Sequence, residues 1–191
     1  MIPMNELPVK RSRVPALRLL PLLLFLALAA CRAEWTTTTF ADLGLRLDRP
    51  TAWAMEDTGN GLLLGSTADV VTALEADAVI EGGAAAITVE EVAALQGASA
   101  VDLVALVLDN FGDLAGGRWR LAGAPEDVEI NGVPGAQAIL KNETEGEAGQ
   151  VTVRVLTGET MAVFFILIDT TPDGAHQDSL LRIANSTALL R

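Results

Sequence analysis

Short apolar runs separated by turn-forming residues fill the chain from about residue 35 onward. Such runs, rich in β-branched and aromatic side chains and bounded by Gly, Pro, Asn or Asp, are typical of antiparallel strands. The predicted strands, in chain order, are WTTTTF, LRL, AWAME, LLLGS, AAITVEEV, DVEI, GAQAILK, QVTVRVL and MAVFFILID. The last run is uniformly apolar, which predicts a central strand covered on both faces. In AAITVEEV, Ile87 and Val89 are expected to share one face.

Turn signals indicate how the first strands pair. WTTTTF and LRL flank the turn-like Asp42-Leu43-Gly44, and AWAME and LLLGS flank residues 58–61. The Asn60-Gly61 pair in the second turn is a strong hairpin signal. The sequence therefore predicts two consecutive hairpins at the start of the domain.

Two segments break the strand pattern and predict helices. In the first, Ser99 and Asp102 have the spacing of a capping box, which satisfies free N–H groups at a helix start. Its inward face is expected to carry Leu103, Leu106, Val107 and Phe111. The second helix follows the turn at residues 171–174 and ends near residue 185, before a short closing strand in TALL. Its inward residues are expected to be Leu180, Leu181 and Ala184. Strands in a run with two helices laid against them predict an α+β domain.

The N-terminal 30 residues have the three-part layout of an export signal. Four basic residues come first, an apolar run from Leu19 to Ala30 follows, and small residues precede Cys31. The apolar run is about a dozen residues long, whereas a membrane-spanning helix needs roughly 20. We therefore interpret residues 1–30 as a cleaved signal, residues 31–35 as a lipidated N-terminus and short tether, and residues 36–191 as one domain.

Cys31 is the only cysteine of the chain and ends the motif Leu28-Ala29-Ala30-Cys31. This motif resembles the lipobox of bacterial lipoproteins, in which the thiol carries a diacylglycerol with palmitate-type acyl chains. The alternative is a buried, inert thiol. The resemblance implies a partner in the membrane itself, through the lipid on Cys31. The expected location is the extracytoplasmic face of the cell membrane or a periplasmic leaflet.

The charge of the domain excludes one class of partner. Four of the 13 Lys and Arg residues and one of the 25 Asp and Glu residues lie in the predicted signal, so the net charge changes from −12 to −15 without it. Nucleic-acid binding requires basic residues that neutralise phosphates, and a polybasic membrane patch requires the same. We therefore expect no nucleic-acid partner.

The residues that commonly form catalytic and metal-binding sites are mostly missing from the sequence. His176 is the only histidine, and the glycines of residues 59–65 are followed by no Lys, so a zinc site and a phosphate loop are both disfavoured. A cluster of Asp169, Asp173, His176 and Asp178 either holds a cation or forms a turn and a helix start. We assign no catalytic residue, no metal and no cofactor, and expect a protein that is not an enzyme.

The three tryptophans are the most informative remaining side chains. Trp53 is expected in the core, and Trp35 either rests at the bilayer interface or packs as part of an edge strand. Trp119 lies between Arg118 and Arg120, a composition typical of binding hot spots. These three residues are the candidate contact for a ligand or partner. The alternative is a strand whose Trp119 ring points inward and whose charges point outward.

The order of these elements resembles the PsbP-like superfamily, which includes bacterial lipoproteins. The residues that carry the resemblance are TTTTF, GLRLDRPTAW with its Pro50-x-x-Trp53 step, the helix after AAITVEEV, INGVPGAQAIL, MAVFFILID and the last helix running into NSTALL. The resemblance implies an antiparallel sheet of about six to eight strands sandwiched by two main helices. It also implies binding or assembly roles and no shared catalytic motif.

The sequence therefore leaves two functions open. The first is a lipid-anchored cell-envelope protein that acts as a non-enzymatic interaction or assembly module on an envelope protein. The alternative is an extracytoplasmic lipoprotein that binds a small ligand or a divalent cation. An exposed apolar patch would favour the first function, and a concave pocket with convergent polar groups would favour the second.

Overall fold

A computed structural model describes residues 33–76, 78–114, 119–143 and 149–190 of the chain. The predicted signal at residues 1–30, Cys31 and Arg118 lie outside the described residues. From Glu34 onward the described residues belong to one compact unit.

The described residues form strands for most of their length, interrupted by helices at three places. The strands are β1 Trp35–Phe40, β2 Leu45–Pro50, β3 Ala54–Asp57, β4 Gly61–Gly65, β5 Gly83–Glu91, β6 Trp119–Leu121, β7 Glu126–Ile130, β8 Val133–Asn142, β9 Gln150–Thr157, β10 Met161–Asp169 and β11 Ala188–Leu189. The α-helices are α1 Ala68–Glu75, α2 Ala100–Leu114 and α3 Gln177–Ser186, and a short 3-10 helix spans Val92–Leu95.

The strands build two antiparallel sheets. The large sheet has eight strands in the order β3-β4-β5-β10-β9-β8-β6, and β7 pairs with the first half of β8. The small sheet has the order β1-β2-β11. Both predicted hairpins are present, β1 with β2 and β3 with β4. The predicted α+β class is confirmed.

The first face of the large sheet packs against α3 and the small sheet. Its core contains Phe165 from β10, Ile87 from β5 and Leu62 from β4, together with Leu45 and Leu47 from the small sheet. Helix α3 contributes the fully buried Leu180, Ile183 and Ala184, and Leu181 packs against them at the margin. Trp53 is 8% exposed and belongs to this core, as predicted.

The second face of the large sheet packs against α1 and α2. Its core joins Val70 from α1 and Leu103 and Val104 from α2 to the valines of β9 at positions 151, 153 and 155. Because successive residues of a strand point to opposite faces, β10 sends Phe165 to the first core and Phe164 to the second. The prediction that β10 is central and covered on both faces is confirmed.

The structure corrects the predicted inward face of α2. Leu106 is 58% exposed, whereas Val104 is fully buried beside Leu103. In a helix of 3.6 residues per turn, residues 103, 104, 107 and 108 form one stripe, and Leu106 lies to its side. The prediction for Leu106 was therefore wrong, and the side chain of Phe111 lies outside the description.

Helix α1 is an addition to the two predicted helices. Thr67 caps it, with its hydroxyl accepting a hydrogen bond from the backbone N–H of Val70 at 3.3 Å. The helix has eight residues and buries Val70 and Val71. Its shortness explains why its apolar periodicity did not indicate it, because two turns contain too few repeats.

The capping box of α2 is formed as predicted and yields a stability test. The Ser99 hydroxyl donates to the Asp102 carboxylate at 2.6 Å and accepts from the Asp102 N–H at 3.2 Å, and the Ser99 N–H donates to the same carboxylate at 3.1 Å. Ser99→Ala should lower the free energy of unfolding by about 1 kcal/mol, measured by urea denaturation at neutral pH. Ser179→Ala, in α3, is the matched control and should change it by less than about 0.5 kcal/mol.

This effect should also depend on pH. Hydrogen bonds from Ser99 lower the pKa of Asp102 in the folded protein. A carboxyl with a lowered folded pKa adds stability above its unfolded pKa of about 3.9, and that stability is lost as the pH falls through the folded pKa. The difference between wild type and Ser99→Ala should therefore shrink below about pH 4. An undiminished difference at low pH would contradict this account of the cap.

Candidate interaction surface

The structure separates the side chains of the predicted contact site on β6. Trp119 pairs with Asn142 and is half-buried against the second core. Arg120, the next residue, pairs with Lys141 and points to the opposite face, where it is exposed. This is the alternative arrangement considered for the sequence, with the ring inward and the charge outward. Arg118 lies outside the described residues, and a contact role for these side chains stays a prediction.

Arg120 belongs to a strip of side chains on the first face, beyond the area covered by α3. Residues paired directly across neighbouring strands point to the same side of a sheet. The register places Gln137 opposite Arg154, Ile139 opposite Thr152, and Lys141 opposite both Gln150 and Arg120. Arg120 and Lys141 are exposed, and the other outermost members are half-buried. We call this set the open strip: Arg120, Gln137, Ile139, Lys141 and Gln150.

Two small pockets lie along the open strip. The larger, of about 200 Å³, lies between Lys141 and Gln150 of the strip, the loop residue Thr171 and Gln177, the first residue of α3. The smaller, of about 170 Å³, lies between Gln137 and Ile139 and the connection from β6 to β7 at residues 122–124. Pockets that enclose a drug-sized molecule usually measure roughly 300–1,000 Å³. The strip is therefore better suited to an extended contact than to the enclosure of a small molecule.

A buried arginine lies beneath the open strip. Arg154 on β9 is 4% exposed. Its Nε and Nη2 donate to Gln137 Oε1 at 3.1 and 2.6 Å, and its Nη1 donates to Asn185 Oδ1 at 2.6 Å. Gln137 in turn donates from Nε2 to Glu126 Oε1 at 2.6 Å. The network links β7, β8, β9 and α3, so it fixes the position of Gln137 at the edge of the strip.

The positive charge of Arg154 is compensated by a carboxylate, Glu126, that does not contact the guanidinium directly. Burial lowers the pKa of the guanidinium, and the nearby Glu126 carboxylate acts in the opposite direction. The guanidinium donates to two neutral side-chain amides, those of Gln137 and Asn185. Gln137 in turn donates to the Glu126 carboxylate and so connects it to the arginine. A buried cation held by amide oxygens is costly to desolvate, and its hydrogen bonds offset that cost only while all of them are made.

Removal of this arginine should destabilise the domain. Arg154→Ala eliminates three hydrogen bonds from a charged donor and leaves a gap beside Phe165, with which Arg154 pairs. The loss is partly offset because a cation no longer needs to be desolvated. The expected net loss of unfolding free energy is about 2 kcal/mol, measured by urea denaturation. Arg46→Ala, at an exposed position of β2, should change it by less than about 0.5 kcal/mol. Equal stability of the two variants would contradict a structural role for the network.

The acidic cluster after β10 organises a loop. Asp169 is 1% exposed, and its carboxylate accepts hydrogen bonds from the N–H and hydroxyl of Thr171 at 2.9 and 2.6 Å and from the N–H of His176 at 2.9 Å. The His176 ring lies edge-on to Trp53, with 5.7 Å between ring centroids. Asp173 and Asp178 are exposed. Within the described ranges, no three His, Cys, Asp or Glu side chains are placed to hold a metal ion.

Trp35 occupies the start of the edge strand β1. It is half-buried and packs against the first core. The Arg182 guanidinium of α3 lies over its ring, 4.0 Å from the centroid, in a cation–π contact. Edge-strand packing, one of the two alternatives for this residue, is therefore present.

No helix among the described residues is long and apolar enough to cross a membrane. Comparison of the chain with family models gives no match, and neither does comparison with curated protein sequences.

Solved structures with the same fold do exist. The cyanobacterial PsbP (CyanoP) of Synechocystis sp. PCC 6803 superposes with a TM-score of 0.56 at 14% identity, over 83% of this chain and 94% of its own. The Ran-binding protein Mog1p of Saccharomyces cerevisiae gives 0.53 at 10% identity, over 83% of this chain and 97% of its own. LpqN of Mycobacterium tuberculosis, described as involved in cell envelope biogenesis, gives 0.50 at 11% identity, over 83% and 91%. Identities this low establish the fold alone, and the predicted PsbP-like fold is confirmed.

Proposed function

We propose that this PsbP-like protein is a lipid-anchored, non-enzymatic interaction module of the cell envelope. In this proposal Cys31 carries the lipid, and the domain works on the extracytoplasmic side of the membrane. An envelope protein docks on the open strip. Two proteins of similar fold support the proposal by analogy: Mog1p is a Ran-binding protein, which supports a binding role, and LpqN is described as involved in cell envelope biogenesis, which supports the setting.

The observation that carries the proposal is the open strip itself. Helix α3 packs on β2, β5 and β10. It therefore does not cover the outer end of the first face, where Ile139 and the polar residues around it lie. Partner interfaces combine an apolar centre with a polar rim. The strip offers a small version of this composition, with Ile139 between Gln137 and Lys141, and not the extended exposed apolar patch considered for the sequence. The hydrogen bonds of Arg154 hold this part of the surface in place before any partner arrives, which lowers the entropic cost of docking.

Charge indicates the kind of partner. The domain is strongly acidic, yet Arg120 and Lys141 are neighbours on the strip, paired across β6 and β8. Arg120 also forms an exposed ion pair with Glu143 at 3.4 Å, a weak contact that a partner can replace. We expect the partner to present carboxylates opposite Arg120 and Lys141, since complementary charges favour the correct orientation and repel wrong partners.

The proposal can be tested by cross-linking in cells followed by mass spectrometry. The lipidated wild-type protein should capture one reproducible envelope protein. Lys141→Glu should reduce that capture about tenfold or more, because it places like charges across the interface. Arg46→Glu is the matched control, since it makes the same charge change at an exposed residue outside the strip, and it should capture the partner normally.

Two outcomes would overturn the proposal. Equal capture by the Lys141→Glu and Arg46→Glu proteins would remove the strip from the interface. Failure of the wild-type protein to capture any specific partner, together with a thermal shift of the domain by calcium or by small molecules, would favour the ligand-binding alternative.

A further inference from the structure

We infer that the end of the domain that carries Trp35 and Arg182 is a docking surface for the phospholipid headgroup layer. This inference rests on the lipid anchor of the proposed function and adds to it an orientation of the domain on the membrane. The surface consists of Trp35, Arg182 and the exposed turn Thr51-Ala52, and we call it the membrane-proximal end.

The distance along the chain limits how far this end can be from the bilayer. Trp35 follows Cys31 by four residues. A fully extended chain spans at most about 3.6 Å per residue, so the Trp35 backbone lies within roughly 14 Å of a lipidated Cys31. The headgroup layer on each side of a bilayer is itself about 5–8 Å thick. The first strand of the domain must therefore begin in or directly above the headgroups.

The side chains at this end have the chemistry of that layer. Trp35 is half-buried, and tryptophan is enriched at the membrane interface, where its ring meets apolar chains and its N–H meets polar groups. The Arg182 guanidinium stacks on the Trp35 ring at 4.0 Å, and the Arg182 side chain remains 50% exposed. Arg182 Nη2 donates to the Asp48 carboxylate at 3.4 Å, and the guanidinium has further N–H donors with which it can bind a phosphate.

The neighbouring backbone and side chains hold this surface in one arrangement. Trp35 pairs with Pro50 across the first hairpin, and the Thr51 N–H donates to the Glu34 carbonyl at 2.8 Å. Asp48 accepts from the Thr37 hydroxyl at 2.6 Å and from Arg182 at 3.4 Å. Helix α3 and the first hairpin are thus connected at the membrane-proximal end, and Arg182 is oriented over Trp35.

The net charge of the protein indicates that the contact with the bilayer is short-range and not a long-range electrostatic attraction. Without the predicted signal the chain carries −15, so long-range attraction to anionic lipids does not operate. The contact expected here is short-range, through one indole ring and one guanidinium on lipid phosphates. It should therefore form on zwitterionic phosphatidylcholine and persist at high salt, because surface charge attraction is screened and short-range contact is not.

Fluorescence quenching tests this inference. The lipidated mature protein is reconstituted into phosphatidylcholine vesicles whose lipids are brominated close to the headgroup. Trp35 emission should be quenched, and Trp35→Phe should remove the quenched component, leaving the signals of Trp53 and Trp119 unquenched. Arg182→Gln should reduce the quenching, whereas Arg46→Gln, an exposed arginine of β2, should leave it unchanged.

Vesicle flotation of the same samples separates this inference from the proposed function. If the protein does not float with the vesicles, the lipid anchor is absent and the proposed function fails. If the protein floats but Trp35 is not quenched, or if Arg182→Gln is quenched as strongly as wild type, the anchor stands and the docking surface is refuted.

Discussion

Replacement of Cys31 by Ser is expected to abolish the incorporation of labelled palmitate and, with it, lipid attachment of the protein to the membrane. Each buried acyl CH₂ contributes about 0.8 kcal/mol, so the two or three chains of a lipoprotein hold it on the bilayer far longer than one chain does. Because Cys31 is the only cysteine, no other residue can carry a thioether-linked lipid. The measurement is metabolic labelling with an alkyne analogue of palmitate, followed by intact mass spectrometry.

The mass spectrum supplies the control for this experiment. In the wild-type protein, the mature chain should begin at Cys31 and carry the mass of the lipid. In the Cys31→Ser protein, the label should be absent at equal expression. Label on the Ser variant, or a wild-type protein without lipid, would rule out the anchor and return Cys31 to the alternative of an inert thiol.

Phe165→Ala is expected to cause the largest loss of stability of any single substitution considered. Phe165 is fully buried in the middle of β10, between β5 and β9, and is among the largest side chains of the first core. Truncation of a buried Phe to Ala costs about 3–5 kcal/mol, through lost transfer free energy and the cavity that remains. Domains of this kind have only about 5–15 kcal/mol of stability in total.

Phe164 provides a matched control for this prediction. It precedes Phe165 on the same strand, points to the opposite face and is only partly buried. Phe164→Ala should therefore cost clearly less, and urea denaturation of both variants should give an earlier midpoint for Phe165→Ala. A reversed order would mean that the two faces of β10 have been assigned incorrectly.

Local patterns in the sequence predicted most of the individual elements. The capping box at Ser99 and Asp102, the turn signal at Asn60-Gly61 and the uniformly apolar β10 each act within a few residues, so their structural consequences can be recognised without knowledge of the fold. Helix α1 and the inward stripe of α2 were harder to predict. In both helices several apolar residues lie within one or two turns, so the sequence alone does not show which of them are buried. Contact with the sheet determines that.

The order of the strands depends on contacts between distant parts of the chain. β10 pairs with β5, although about 70 residues separate them. No short motif specifies that pairing, which places the uniformly apolar β10 beside β5, a strand that is apolar and buried only in its first half. The separate small sheet is also non-local, because β11 near the C-terminus completes the hairpin of β1 and β2.

The candidate surface was the least predictable feature. In QVTVRVL the alternation of residues places Arg154 on the face of β9 that the valines do not occupy. It does not indicate that Arg154 is buried, because its hydrogen-bond partners Gln137 and Asn185 come from β8 and α3. The open strip exists because α3 covers only part of the first face, a property of helix placement. The motif Arg118-Trp119-Arg120 predicts a contact site on β6, whereas the strip is formed by the register of β8 with both β6 and β9.

Photo-cross-linking in cells tests the central claim, that the open strip docks an envelope protein, most directly. A photoreactive amino acid is placed at Lys141 on the strip or at Leu106 on the outer side of α2, two exposed positions on opposite faces of the large sheet. The proposal predicts an adduct with a single envelope protein from position 141 and none from position 106. An adduct from position 106 without one from 141 would place the interface on α2 and contradict the claim.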